Sequence, residues 1–183
     1  MAQISHRTDD ALVLFDPLVP ADETAEYWQF LKERRGASDL SVHILLTAPW
    51  HERSTAVVAA RLGATVWAHP AGHDRLSLQP AAAALPEGIE VVVPGGMEEG
   101  EVAFYVASTC TLLVAEFLLG EDGALRVLPS PAVEDCEAFR RSLRGLLGMR
   151  IDRVLVAHGD PILNHGHARI RDALQAFSAG LAD

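Results

Sequence analysis

Strand-like and helix-like segments alternate in the first part of the chain, and this alternation restricts the fold more than any other feature. Near-continuous apolar runs typical of buried strands occupy residues 11–16, 42–47 and 65–68. Segments with helical periodicity lie between them, at residues 22–35 and 54–62. Because strands that alternate with helices usually pair in parallel, the sequence predicts a parallel sheet covered by helices.

The rest of the chain adds a strand-rich middle and a helix–strand–helix end. Further strands are predicted at residues 89–93, 102–106, 112–119, 125–128 and 154–157. The second and third of these favour an antiparallel hairpin. One helix is predicted to start at Ser130-Pro131 and another near Asn164. The pattern predicts an α/β layered, αββα-like fold with two sheets inside, in a single domain spanning residues 1–183.

Composition argues against several classes of partner. The formal net charge is −10 and the pI is about 5.2. We expect no nucleic-acid partner and no membrane partner, because neutralising phosphates requires clustered Lys and Arg.

No signal peptide is visible, and no apolar run approaches the roughly 18 residues of a membrane span. Cys110 and Cys136 form no CxxC pattern, which favours free buried thiols in a reducing compartment. We therefore expect a soluble cytoplasmic protein.

Four segments in order resemble the metallo-β-lactamase fold superfamily. Residues 11–17 resemble its early strand ending in Asp-Pro, and residues 44–69 resemble its strand, metal loop, helix and next strand. Residues 100–120 resemble its hairpin with a bridging Asp, and residues 154–161 its late strand ending in His-Gly-Asp-Pro. The resemblance covers most of the chain. It implies a compact metallo-β-lactamase-like domain, here with shortened N-terminal strands.

The same resemblance implies a metal loop whose ligands are mostly replaced. In the superfamily, a loop Thr-His-x-His-x-Asp-His, a later His, a bridging Asp and a final His hold one or two zinc ions. The corresponding positions here carry Ala48, Trp50, Glu52, Arg53, Gly96, Glu116 and His158. Since His158 alone matches the family residue outright, the resemblance implies that the ordinary binuclear site is lost.

A degenerate, metal-free site without a cofactor is the leading hypothesis. Arg53 would place a guanidinium where the family holds metal, and it could pair with the carboxylates of Glu52 and Glu116. The protein would then serve in binding, regulation or assembly. The residues of this vestigial site would be Trp50, His51, Glu52, Arg53, Glu116 and His158.

A reduced mononuclear metal site is the alternative hypothesis. Glu52, Glu116 and His158 would hold one zinc or iron ion, since three protein ligands plus water are typical of catalytic sites. The protein would then hydrolyse a small ester, thioester or lactone. His51 lies one place off the family's ligand positions and is expected to face solvent. Trp50 is expected to pack in the core or at its rim, where it could also wall a pocket.

The sequence leaves the partner open between a small molecule and another protein. The family's first strands look shortened or absent, which could leave a sheet edge or an apolar face uncovered. Such a surface would allow a homo-oligomer or a complex with a catalytic homologue.

Overall fold

The computed structural model describes residues 4–22, 25–36, 40–81, 84–97, 99–128 and 133–179. Two compact units make up the chain, Met1–Pro86 and Glu87–Asp183. Each unit contains a four-stranded sheet together with helices. The protein is therefore a mixed α/β structure, as the sequence predicts. The expectation of a single domain stays a prediction.

The first unit is built on a sheet with the strand order β1-β2-β3-β4. Its strands are Ile4–Arg7 (β1), Ala11–Phe15 (β2), Ser41–Leu45 (β3) and Thr65–Trp67 (β4). The last three are parallel, with Phe15 opposite Leu45 and Leu45 opposite Trp67. Their carboxyl ends therefore meet at one edge of the sheet. β1 pairs antiparallel with β2, and the sequence did not predict it because its Ser, His and Arg interrupt any apolar run.

The described residues of the first unit also form two α-helices and two short 3₁₀ helices. They are Ala25–Arg35 (α1), Thr55–Leu62 (α2), and the 3₁₀ segments Pro49–His51 and Pro70–Arg75. Leu31 of α1 and Val58 of α2 are fully buried in one cluster with the strand residues Leu12, Leu14 and Ile44. Burial of these apolar side chains on the sheet is the main force that holds the helices in place.

The second unit is built on a sheet with the order β10-β7-β6-β5 and a separate two-stranded ribbon, β8-β9. Its strands are Ile89–Val92 (β5), Ala103–Val106 (β6), Thr111–Val114 (β7), Leu118–Glu121 (β8), Ala124–Val127 (β9) and Arg153–Val156 (β10). β6 and β7 form the predicted antiparallel hairpin, whereas β7 and β10 are parallel. The apolar run at 112–119 is divided between β7 and β8, and Glu116 lies in the break.

Helices Cys136–Gly145 (α3) and Gly166–Ala179 (α4) belong to the second unit. The Asp135 side chain caps α3 by accepting hydrogen bonds from the backbone N–H groups of Glu137 and Ala138. The predicted helix start at Ser130-Pro131 lies outside the described residues. Phe139 and Leu143 of α3 and Ile170 of α4 are buried in the core of this unit.

Two further predictions concern the burial of the cysteines and the presence of membrane-spanning helices. Both cysteines carry free thiols, but the expectation that they are buried is wrong, because Cys136 at the start of α3 is exposed and Cys110 is only partly buried. Among the described residues, no helix is both long enough and apolar enough to cross a membrane.

Candidate functional site

Three polar side chains of the first unit meet at the carboxyl edge of its parallel strands. Asp16 follows β2, Thr47 follows β3, and His51 ends the 3₁₀ helix Pro49–His51. The backbone N–H of Thr47 donates to Asp16 Oδ1 at 2.8 Å, and the Thr47 hydroxyl donates to Asp16 Oδ2 at 2.5 Å. His51 Nδ1 lies 2.9 Å from both Asp16 Oδ2 and Thr47 Oγ1. This edge is where ligand chemistry usually lies in parallel α/β sheets.

His51 is buried, so the expectation that it faces solvent is wrong. Only 1% of its side chain is exposed, against 14% for Asp16. The physical reason is that Nδ1 forms hydrogen bonds with Asp16 and Thr47 at the strand ends, so this polar atom can be buried there at little cost. Asp16 and Thr47 were not predicted as site residues. An Asp and a Thr at the ends of neighbouring parallel strands were the signal that could have identified them.

Trp50 is exposed, in contrast to the predicted core or rim packing. It stands at the centre of the 3₁₀ helix with 41% of its surface accessible, between the buried residues Pro49 and His51. Consecutive side chains of a 3₁₀ helix point in different directions. Because the side chains of Pro49 and His51 point inward, that of Trp50 points to the solvent. The first unit therefore presents a large aromatic side chain next to the buried imidazole.

Glu52 is held within the first unit by the segment that follows the second 3₁₀ helix. Its Oε1 accepts from the Ser77 hydroxyl at 2.5 Å and from the Leu78 N–H at 3.0 Å, and its Oε2 accepts from the Ser77 N–H at 3.0 Å. Burial acts to raise the pKa of Glu52, but these hydrogen bonds together outweigh it and hold that pKa below its usual value. Both carboxylate oxygens therefore already serve a structural role.

Arg53 directly follows this carboxylate and has an exposed side chain. Its φ of 37° lies in the left-handed region, which is uncommon for a residue with a side chain. The predicted pairing of Arg53 with Glu52 and Glu116 stays a prediction.

In the second unit, Glu116 and His158 come together just beyond two paired parallel strands. Glu116 follows β7 and His158 follows β10, and the register places Val114 opposite Val156. His158 Nε2 lies 3.1 Å from Glu116 Oε1, with 45% and 24% of the two side chains exposed. The Glu116 N–H donates at 2.9 Å to Glu101 Oε1, whose residue is buried and was not predicted as part of any site.

Backbone contacts fix the segment that carries His158. The Gly120 N–H of β8 donates to the His158 carbonyl, and the Asp160 N–H donates to the Gly120 carbonyl, both at 3.2 Å. The backbones approach so closely that a Cβ at Gly159 would overlap the Gly120 carbonyl oxygen. His158 is therefore anchored by β8 as well as by its own strand.

Comparison with known proteins identifies the fold. No family model matches the sequence, and no curated protein matches it. A metallo-β-lactamase from Erythrobacter litoralis has a TM-score of 0.67 and 15% identity, over 95% of this chain and 84% of its own. A metallo-β-lactamase family protein from Thermus thermophilus has a TM-score of 0.65 and 18% identity, over 97% and 74%. The chain has the metallo-β-lactamase fold. At these identities the similarity concerns the fold alone.

A third structure with the same fold is TTHA1623 in a di-iron-bound form, with a TM-score of 0.62 and 22% identity over 87% of each chain. That protein binds metal, so the comparisons give no support to the expectation of a metal-free site. They do not show a metal in this chain either.

Two positions that the resemblance aligns with ligand histidines carry residues without a metal-binding side chain here. Ala48 is buried with 1% exposure at the start of the 3₁₀ helix. Gly96 has a φ of 74°, and a Cβ there would overlap the Asp135 carbonyl oxygen and lie 2.7 Å from the Phe139 nitrogen. The residues present therefore do not fit the binuclear zinc set that the resemblance implies.

The Glu116–His158 pair does fit a single divalent ion. It offers one carboxylate oxygen and one imidazole nitrogen, which are donors that zinc and ferrous iron both accept. Other histidines make backbone contacts instead. His73 Nε2 lies 3.0 Å from the Ala68 carbonyl oxygen, and His167 Nε2 lies 3.0 Å from that of Leu147.

Proposed function

We propose that this protein binds one divalent zinc or iron ion and hydrolyses a small ester, thioester or lactone. The observation that supports it is the pairing of Glu116 with His158 beyond the ends of β7 and β10. Both side chains are partly exposed, so a small ligand could reach them. A bound divalent ion would polarise a substrate carbonyl and lower the pKa of a coordinated water.

The residues of the pair have distinct roles in this proposal. His158 would hold the ion through a ring nitrogen, and Glu116 through a carboxylate oxygen. The bond from the Glu116 N–H to Glu101 and the contacts of the His158 backbone with Gly120 keep both main chains in place before any ligand arrives. Such preorganisation lowers the cost of ordering ligands when the ion binds. Glu52 is not included, because Ser77 and Leu78 already use its oxygens.

A metal-free binding, regulatory or assembly role is the second candidate. It is favoured by Ala48 and Gly96, which stand at two positions aligned with ligand histidines and have no side-chain donor for a metal. In that case Glu116 and His158 form only an ion pair, and such partly exposed pairs contribute little to stability, about 0–1 kcal/mol. The partner would be a small molecule, another protein or a second copy of the chain.

Metal content separates the two candidates. The protein is purified without an affinity tag from zinc- and from iron-supplemented cultures, and its metals are measured by mass spectrometry. We expect about one equivalent in the unmodified protein and a loss of binding by at least about 100-fold in His158→Ala and Glu116→Gln. His165→Asn is the matched control, since His165 is exposed with a φ of 59°, a conformation that Asn accepts readily.

Hydrolysis is then assayed with a panel of aryl esters, acyl thioesters and lactones. Turnover that requires added metal and is lost in His158→Ala supports the proposal. Absence of metal after purification, together with absence of binding on titration, overturns it and favours the second candidate. Equal turnover in His158→Ala and the unmodified protein also contradicts it.

A further inference from the structure

We infer that Glu101 is a positioning residue whose buried negative charge raises the affinity of the Glu116–His158 pair for a divalent cation. This role rests on the proposed function, because an ion must bind to that pair. It goes beyond the proposed function, in which Glu101 only holds the main chain of Glu116 and its charge has no task. Neither the sequence pattern nor the metallo-β-lactamase resemblance assigns a role to position 101.

Glu101, Glu116 and His158 stand in one row across three adjacent strands of the second unit. β6 and β7 pair Phe104 with Leu113, and continuing this antiparallel register by three residues places Glu101 opposite Glu116. The 2.9 Å hydrogen bond from the Glu116 N–H to Glu101 Oε1 shows that the two residues are neighbours. β10 pairs with β7 on its other side and brings His158 to the same end of the sheet.

Glu101 is the buried member of this row. Only 2% of its surface is exposed, whereas Glu116 and His158 are partly exposed. Val102 and Ala115, which flank the two glutamates, are fully buried apolar residues. Water and salt therefore screen the Glu101 charge weakly, and it acts more strongly on an ion at Glu116 than a charge on the surface would.

This placement of a carboxylate is unfavourable as long as no cation is bound. A buried carboxylate loses its hydration, and like charges that stand opposite each other on paired strands repel. A neutral amide side chain could accept the Glu116 N–H without burying a charge. Fastening the main chain therefore does not require a Glu at position 101. A divalent ion held by Glu116 and His158 would be attracted by both carboxylates and would relieve their repulsion.

The hydrogen bond also keeps the Glu101 charge in a fixed place. Because Oε1 accepts from the Glu116 N–H, the carboxylate is already held beside the pair before an ion arrives. Charges that are held in position act on a ligand without a cost of reorganisation. The ligand class that this row fits is a cation, because two carboxylates repel an anion and attract a neutral molecule only weakly.

Cobalt(II) binding separates the effect of the charge from that of the hydrogen bond. Metal is removed from the full-length protein by chelation, and cobalt(II) is titrated while the heat of binding and the visible absorption bands are followed. Glu101→Gln keeps an acceptor oxygen for the Glu116 N–H and removes the charge, whereas Glu101→Asp retains the charge. Glu99→Gln is the matched control, since it removes the charge of an exposed Glu in the same segment.

We expect Glu101→Gln to weaken cobalt affinity by about 10- to 100-fold, with the number of bound ions and the absorption bands unchanged because the ligands are retained. Glu101→Asp should bind cobalt more tightly than Glu101→Gln, and Glu99→Gln should bind it as the unmodified protein does. The melting temperature of metal-free Glu101→Gln should not fall. A residue with a purely structural role would instead lower that melting temperature and leave the cobalt affinity of the folded protein unchanged.

The outcomes keep this role distinct from the proposed function. Unchanged cobalt affinity in Glu101→Gln overturns the inference; if His158→Ala still abolishes binding, the proposed function stands. Equal losses of affinity in Glu101→Gln and Glu101→Asp also overturn it, because the charge would then not be the cause. So does a Glu101→Gln variant that does not fold, since the charge would then stabilise the chain itself. An unmodified protein that binds no cobalt overturns both the inference and the proposed function.

Discussion

Glu52 shows how a residue at a ligand position can be taken over by a structural role. The metallo-β-lactamase resemblance aligns it with a ligand, but Ser77 and Leu78 donate three hydrogen bonds to its carboxylate. These bonds join the metal-loop region to residues about 25 positions later in the same unit. The sequence could not show this, because Ser77 and Leu78 lie in a segment without periodicity.

Glu52→Gln should therefore reduce the stability of the folded protein by an amount that depends on pH. The folded-state pKa of Glu52 lies below its unfolded value of 4.5. Its stabilisation is accordingly present above pH 4.5 and is lost as the pH falls through the lower folded pKa. We expect Glu52→Gln to reduce the free energy of unfolding by about 1 kcal/mol at neutral pH, a modest value because the group is partly exposed.

The difference in the free energy of unfolding between Glu52→Gln and the unmodified protein should become progressively smaller once the pH falls below 4.5. Urea unfolding at several pH values measures it. Glu99→Gln, at an exposed position, controls for the loss of one negative charge. A difference that is constant across the pH range would show that the hydrogen bonds to the carboxylate are not its source.

At the scale of elements, periodicity predicted the helices and strands well but not every face. Helical periodicity in the sequence predicts Val57, Val58 and Leu62 on the inner side of α2. In the structure Val58 is fully buried, whereas 52% of Val57 is exposed. Two adjacent residues of a helix are separated by about 100°, so both rarely face one narrow contact. The sequence located α2 correctly, and only packing on the sheet decided between the two valines.

These neighbouring valines provide a matched test of the packing. Val58→Ala should reduce the free energy of unfolding by about 1–3 kcal/mol, because it opens a cavity in the cluster formed with Leu14 and Ile44. Val57→Ala should change it by less than about 0.5 kcal/mol, since the position is exposed and Ala favours helix. Chemical denaturation measures both. Equal losses in the two variants would contradict the observed orientation of α2.

The site was only partly predictable because its chemistry depends on strand ends. Glu116 and His158 were selected through the resemblance, and the register of β7 and β10 explains their proximity. Asp16 and Thr47 come together in the same way at the ends of β2 and β3. The sequence revealed those strands but not their register. For that reason the direction of His51, which depends on Asp16, was predicted incorrectly.

For the whole molecule, the prediction of one domain can be tested through the tryptophans. All three, Trp28, Trp50 and Trp67, belong to the first unit, so their fluorescence reports on that unit. Gly96 belongs to the second unit. Gly96→Ala should destabilise its own unit by more than about 2 kcal/mol, because it combines a left-handed φ with backbone overlap.

If the chain unfolds as one cooperative domain, Gly96→Ala lowers the midpoint of the tryptophan fluorescence transition and that of far-ultraviolet circular dichroism together. Gly95→Ala is the control, since a Cβ there meets its nearest neighbour at an ordinary 3.5 Å and should cost less than about 1 kcal/mol. A fluorescence midpoint that stays unchanged while the dichroism transition moves would show two independently unfolding units.

The contact between Gly120 and Gly159 has a consequence for recognising related chains. Each glycine lies where a Cβ would overlap the opposing main chain, so neither position tolerates any other amino acid without moving the segment that carries His158. Selection from a library randomised at both positions should accordingly return glycine at each. Gly120 and Gly159 form, together with Glu116 and His158, a sequence pattern that does not depend on the metal loop. This pattern would allow distant sequences with other residues in the metal loop to be grouped with this protein.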